Sequence, residues 1–167
     1  MSRYNLTQGY LKTILHYCRE TGIWTWLYSN GAATIGKRAG CLTHKGYLVI
    51  RINGYGYEAQ LLAYLYIEGK FPPDNHEIDH IDKDVGNNKY CNYRLVTKAQ
   101  NQWNAKLSSR STTGIKGLTR AKDCYLARIS INGIRVTKRF SFDKQNEAIT
   151  YLTSLRNQLH GEFANHG

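Results

Sequence analysis

Between His76 and Asn101 the chain reads His76-Glu-Ile-Asp79-His80-Ile-Asp82-Lys-Asp84, then Asn87-Asn88, Asn92-Tyr93-Arg94-Leu-Val-Thr97, and finally Asn101. This order admits few local folds. The apolar-alternating stretch that ends in Asp79-His80 suits a strand, and Tyr93 to Val96 suits a second one. The Asp/Asn/Gly-rich stretch between them suits an irregular loop, and Thr97 can cap a helix running to about Lys106. Two strands and a helix in this order can bring Asp79 and His80 face to face with Asn101, one turn into the helix.

The residue types brought together define the chemistry. Asp79 and Asn101 would offer a hard cation one anionic and one neutral oxygen, leaving most of its shell to water and substrate phosphate, as magnesium favours. His80, with an unperturbed pKa of about 6.5, is the side chain best suited to accept a proton from water at neutral pH. Asn92 can hold the imidazole in one tautomer. A plainer reading of Asp82 to Asn88 is a loop whose side chains cap their own backbone. A calcium loop of the EF-hand kind is ruled out by the missing D-x-D-x-D-G spacing and closing glutamate.

The rest of the chain sets the context. With 167 residues there is room for one ordinary domain or two small ones, and 41% apolar residues suffice for a core. A net charge of +11 points to a polyanionic partner, nucleic acid foremost. No apolar run approaches a membrane span, the amino terminus lacks a signal-peptide core, and Cys18, Cys41, Cys91 and Cys124 form no C-x-x-C pair. We therefore expect a cytoplasmic protein without structural zinc or disulfides.

Leu11, Ile14, Leu15 and Cys18 recur at helical spacing up to Thr21-Gly22. Strands are expected over Ile23–Leu27 and Tyr47–Ile52, the latter turning at Asn53-Gly54 into Tyr55–Gln60, with a helix over Leu61–Glu68 stopped at Gly69. The polar stretch 107–114 reads as a linker to a more basic tail, 115–167. That tail reads as strands at Leu118–Lys122, Tyr125–Ile131 and Ile134–Phe142, the last two joined at Asn132-Gly133. A helix capped by Asp143 follows, with Ala148, Ile149, Leu152, Leu155 and Leu159 as its apolar stripe. Such a helix covers one sheet face and leaves the other free, with Arg120, Lys122, Arg128, Arg135, Lys138 and Arg139 available to it or its rims.

At Ile78-Asp79-His80-Ile81-Asp82, Asn87-Asn88, Asn92-Tyr93-Arg94-Leu95 and Thr97 through Asn101, the sequence resembles the HNH, or ββα-metal, endonucleases. It is closest in pattern to the His-Asn-Asn nicking enzymes of phages and introns. A weaker likeness reaches upstream through Gly46-Tyr47 and Gly36–Gly40 to about Ile23. The resemblance implies His80 as general base, Asn92 as its orienter, Asp79 and Asn101 as ligands of one divalent metal, and 5′-phosphate and 3′-hydroxyl products. Gln60 departs from the histidine common at that position. The tail resembles the ethylene-response-factor, or apetala-like, DNA-binding domains at Gly117–Arg120, Tyr125–Ile129, Asn132-Gly133, Phe142-Asp143, Glu147-Ala148 and Leu159–Asn165. It departs from them at Tyr125 and at Arg139-Phe140.

These readings combine into an α+β protein. A small N-terminal α/β segment leads into a ββα-metal nuclease core at 76–106 within a domain 1–106. A three-stranded antiparallel sheet packed on one helix follows the linker. The expected function is site-specific nicking or homing-type hydrolysis of double-stranded DNA by a monomer. It needs one divalent ion, magnesium before manganese, and no small-molecule cofactor or membrane. The alternative is a catalytically silent, sequence-specific DNA-binding regulator. A tail joined by a linker should also be removable without loss of cleavage.

Overall fold

The structure is a computed structural model that describes residues 5–105, 107–108, 110–131 and 134–165. Internal contacts divide the chain into two units, Met1–Thr97 and Lys98–Gly167.

In the first unit, Thr7 accepts a hydrogen bond from the Tyr10 amide and starts helix α1, Gln8–Ile14. The helical spacing that extends to Cys18 is not followed. Residues Leu15–Cys18 form strand β1, paired antiparallel with β2, Ile23–Trp26. Leu15 and Tyr17 are buried on alternate positions of β1, opposite Trp26 and Trp24. Leu15 satisfies a helical and a strand pattern equally, and the two tryptophans across the hairpin decide for the strand. Strands β3, Cys41–Leu42, β4, Leu48–Ile52, and β5, Tyr55–Glu58, form a sheet in that order. Its β4–β5 turn holds Asn53 and Gly54 at φ 51° and 84°, as a two-residue hairpin of mirror-image type requires. Helix α2, Ala59–Glu68, ends at Gly69, whose left-handed backbone donates its amide to Leu65 O. Leu11, Leu15, Trp24, Ile50, Leu62 and Leu65 are almost wholly buried in one core, each adding about 1.5–3 kcal/mol. The last strands, β6, His76–His80, and β7, Tyr93–Thr97, pair antiparallel as a two-stranded ribbon.

The second unit begins with helix α3, Lys98–Asn104. The contact division falls before α3, and side chains of the tail hold α3 at its carboxyl end. Lys116 Nζ donates to Ala105 O at 2.6 Å, and Asn165 Nδ2 donates to Asn104 O at 2.7 Å. Strands β8, Leu118–Arg120, β9, Tyr125–Ile131, and β10, Ile134–Phe140, form an antiparallel sheet with β9 central. The outer two stop short of the expected Lys122 and Phe142, and the expected Asn132-Gly133 turn lies outside the described residues. Phe142–Lys144 makes a 3-10 turn before helix α4, Gln145–His160, so Lys144 takes the N-cap position and Asp143, expected to cap the helix, stands one residue ahead of it.

Ala148 and Leu152 of α4 meet Leu118, Ala127 and Phe140 in the core of this unit. The buried stripe then continues through Arg156 and His160, not through Leu155 and Leu159. Arg156 is buried because its Nη2 donates to Lys116 O at 2.7 Å, and His160 because its ring lies flat on Trp103 at 4.4 Å. A polar side chain with a hydrogen-bond partner, as Arg156 has, can occupy a core position that apolar periodicity does not reveal, and a ring such as His160 can do so by stacking.

Candidate active site

The β6–β7 register places Asp79 opposite Arg94 and His80 opposite Tyr93. Asp79 and Arg94 form a cross-strand ion pair, with Arg94 Nε and Nη2 donating to Asp79 Oδ2 at 3.0 and 2.8 Å. His80, the last residue of β6, is 4% exposed, and its Nε2 is buried without a hydrogen-bond partner. Ring edges of Tyr93 at 5.1 Å and Tyr47 at 6.2 Å enclose the imidazole. Burial pushes its pKa below the ordinary histidine value, against the opposing pull of the Asp82, Asp79 and Asp84 charges and of the Asn88 side-chain oxygen, which favours a protonated ring as acceptor. A neutral imidazole with an unengaged ring nitrogen is the form a general base needs.

The loop after His80 is held by its own side chains. Asp82 Oδ1 accepts from the Asp84 amide at 2.8 Å and from Asn92 Nδ2 at 2.9 Å, and Oδ2 accepts from Asn87 Nδ2 at 2.6 Å. These bonds hold the Asp82 carboxyl below the usual carboxylate range. Asn92 Oδ1 accepts from the Asp82 amide at 3.1 Å, and its Nδ2 also donates to Asn87 O at 3.0 Å. Its backbone carbonyl accepts from the Ile81 amide at 2.9 Å. Asn92 thus grips the chain that leaves His80 and does not bond the imidazole itself. The asparagine that acts on the imidazole is Asn88, whose side-chain oxygen accepts from Tyr93 Oη at 2.8 Å beside the ring. Its neighbour Asn87 has the same side chain, so only the three-dimensional path of the loop distinguishes the two.

Tyr47 marks a second feature missed in sequence, where it reads as a sheet residue. Burial and then the charges of Glu58, Asp79 and Glu77 raise its pKa, so three carboxylates act on one hydroxyl beside the imidazole. Gln60, in place of the common histidine, is buried and donates from Nε2 to Glu58 Oε2 at 2.8 Å, while its Oε1 has no partner. Asn101 lies half-buried on α3, in the second unit. The structure therefore assembles Asp79, His80 and Asn92 within one unit, with Asn101 in the other.

In the second unit, strand alternation sorts the six candidate DNA contacts. Leu118, Ala127 and Phe140 mark the face packed on α4. By register, Arg120 opposite Tyr125 and Lys138 opposite Ala127 share that face. Their side chains meet aromatic rings there: Arg120 lies 4.9 Å from the centre of Phe142, and Lys138 lies 4.7 Å from Tyr151. Arg128, Arg135 and Arg139 occupy the open face, Arg139 in an exposed ion pair with Asp123 at 3.0 Å. Lys122 is exposed in the β8–β9 connection. The expected set thus divides, and Arg120 and Lys138 leave the open face.

The HNH endonuclease family profile matches residues 57–103, which include β6, β7 and most of α3. Protein 3.8 of Escherichia phage T7 is 32% identical over 92 residues, covering 55% of this chain and 76% of that protein. The chain belongs to the HNH endonuclease family. As an HNH endonuclease it is a DNA-cleaving enzyme. An HNH endonuclease of Acanthamoeba polyphaga mimivirus is 33% identical over 108 residues, and there the chain spans about half of the relative's length, 55%. The structure reported for DNA binding and cleavage by the HNH homing endonuclease I-HmuI is similar with a TM-score of 0.43 and 20% identity, covering 88% of this chain and 85% of that one. Among the described residues no helix of this HNH enzyme is long and apolar enough to cross a membrane.

Proposed function

We propose that this HNH enzyme nicks double-stranded DNA, with His80 as the general base and the second unit as the reader of the duplex. The observation that carries the reading is His80 itself, buried at the end of β6 with Nε2 unpartnered and the ring held between tyrosines. In the proposed step His80 Nε2 takes a proton from water as the water oxygen bonds to phosphorus. The phosphorus–oxygen bond to the 3′ carbon's oxygen breaks, leaving a 5′-phosphate and, once the departing oxygen is protonated, a 3′-hydroxyl. Asn92 keeps the loop beyond His80 in place, and Asp82 is its partner in that clamp.

The donor set fits a hard divalent cation. Asp79 and Asn101 carry oxygen ligands, and among the described residues no cluster of three His, Cys, Asp or Glu forms a self-sufficient metal cage. Asp79, Asp82 and Asp84 concentrate negative charge around His80 in a chain of net charge +11. Magnesium, which keeps most of its shell for water and phosphate, suits such a set better than zinc. The family resemblance gives Asp79 and Asn101 as the residues that would hold the ion, which would supply charge stabilisation to the phosphoryl oxygens. Arg94 holds Asp79 in position from the neighbouring strand.

The second unit resembles an ethylene-response-factor domain, and its open face offers Arg128, Arg135 and Arg139, with Lys122 at the rim, to phosphates and guanine edges. One such site in a monomer cuts one strand. The test is supercoiled plasmid with magnesium, with and without chelator, beside His80→Ala. Chelator-sensitive conversion to open circles, lost in the variant, is expected. Retained DNA binding without any cleavage would instead favour a silent DNA-binding regulator.

A further inference from the structure

Asn88 is where a distant part of the chain enters the site. Its carbonyl accepts a buried hydrogen bond from Tyr17 Oη at 2.8 Å, across 71 positions of sequence. Its side-chain oxygen accepts from Tyr93 Oη at 2.8 Å, and its Nδ2 donates to Gly86 O at 3.0 Å. The turn of the β1–β2 hairpin presses on the same peptide. A Cβ on Gly22, at φ 74°, would come within 2.3 Å of the Asn88 carbonyl carbon and 2.6 Å of the Lys89 nitrogen. Two residues later the Tyr90 amide donates to Arg19 O at 3.0 Å. Tyr17 has little freedom to swing away, since its ring stacks on Trp24 at 4.6 Å and meets the edge of Tyr66 at 5.9 Å.

On its other side Asn88 faces the imidazole. Tyr93, whose hydroxyl donates to the Asn88 side-chain oxygen at 2.8 Å, lays a ring edge on His80 at 5.1 Å, and the Asn88 side chain itself pulls the imidazole towards its charged form. None of the β1–β2 hairpin lies within the segment matched by the family profile, residues 57–103.

We propose that Asn88 is the positioning residue for His80, and that the N-terminal hairpin, through Tyr17 and Gly22, sets where Asn88 stands. The working site of this enzyme then extends some 40 residues upstream of the matched segment. The proposal rests on His80 being the base. Its physical content is orientation: a reacting group displaced by about 1 Å can lose roughly 100-fold in rate without any loss of substrate affinity.

The test uses the full chain with Asn88→Ala, Asn88→Asp, Tyr17→Phe and His80→Ala. Nicking rates are measured against DNA concentration, and the His80 ring nitrogens are observed by long-range nitrogen–proton NMR at one fixed alkaline pH. Asn88→Ala should lower kcat by about 10- to 100-fold at nearly constant KM, with the imidazole passing from one tautomer to a mixture. Tyr17→Phe, which keeps the ring and removes only the hydroxyl, should move both readouts in the same direction by less. Asn88→Asp, which keeps the oxygen acceptor, should restore most of kcat and the single tautomer. If Asn88→Ala does not fold, Tyr17→Phe and Asn88→Asp carry the same comparison. Wild-type kcat and an unchanged imidazole spectrum in the Asn88 and Tyr17 variants would overturn the proposal. Wild-type cutting by His80→Ala would remove the base assignment instead, and the spectrum would still decide whether Asn88 orients the ring.

Discussion

Lys116 Nζ donates to the backbone carbonyl of Trp103 at 2.8 Å, and so the tail of the chain closes the helix that carries Asn101. The same ammonium reaches Ala105 O, Asn165 Nδ2 bridges the Asn104 and Ala105 carbonyls, and the Trp103 ring lies flat on His160. The last carbonyls of a helix have no partners within it, and here side chains from beyond residue 110 supply them. A seven-residue helix is too short to persist alone.

Deleting residues 110–167 should therefore abolish cleavage, where a detachable tail would leave it intact. Lys116→Met should cost the second unit about 1.5–3 kcal/mol, the range for hydrogen bonds from a charged donor. Urea unfolding followed by the fluorescence of Trp103, with Trp24 and Trp26 replaced by phenylalanine, measures that loss. A truncated protein that nicks at the full rate would show that α3 needs none of these partners.

Cleavage by wild type should rise with pH through a midpoint below the ordinary histidine value of about 6.5, because burial disfavours the charged imidazole. The consequence for stability has the same sign. The unfolded chain binds the proton that folded His80 refuses, so this contribution is complete above the unfolded pKa and is lost as pH falls towards the folded one. Rate–pH profiles and thermal melts between pH 5 and 8, each repeated on His80→Ala, check both. A midpoint above the ordinary value would contradict the burial argument.

Asn92→Ala should loosen the loop without touching the imidazole. Its Nδ2 bond is one of those that depress the Asp82 pKa, so that pKa should move up in the variant, as carboxyl carbon NMR would show. Asp82 stabilises the fold above its unfolded pKa, and this contribution fades as pH falls through the folded value, over a narrower window in the variant. Nicking should fall by about 10-fold or more, on the scale of a lost supporting contact. An unmoved Asp82 with full activity would remove Asn92 from the site.

The two faces of the second sheet should behave differently towards salt. Arg128→Ala and Arg135→Ala should each make the plot of log affinity against log salt shallower by about 0.9, one phosphate contact apiece. Lys138→Ala should leave the slope unchanged and lower stability by about 0.5–2 kcal/mol, since its ammonium sits over Phe140 and Tyr151. Filter binding at several salt concentrations separates these outcomes, and a reduced slope for Lys138→Ala would reverse the assignment of faces.

Local chemistry wrote much of this protein directly into its sequence. The Asp79-His80 strand end, the Thr97 boundary, the Asn53-Gly54 turn and the Gly69 stop each follow from short-range sterics and hydrogen bonding, and each stands where the residues indicate. Tertiary structure decided what depends on partners far along the chain. Leu15–Cys18 became a strand because Trp24 and Trp26 lie across from it. Arg156 and His160 became core residues because Lys116 and Trp103 meet them. Asn88 stands beside Tyr93, whose ring edge meets His80, with Tyr17 and Gly22 against its peptide from the other side. Periodicity and spacing describe a residue's neighbours within a turn or a strand, whereas burial of a polar side chain depends on what only folding brings to it, a hydrogen-bond acceptor for Arg156 and a stacking ring for His160.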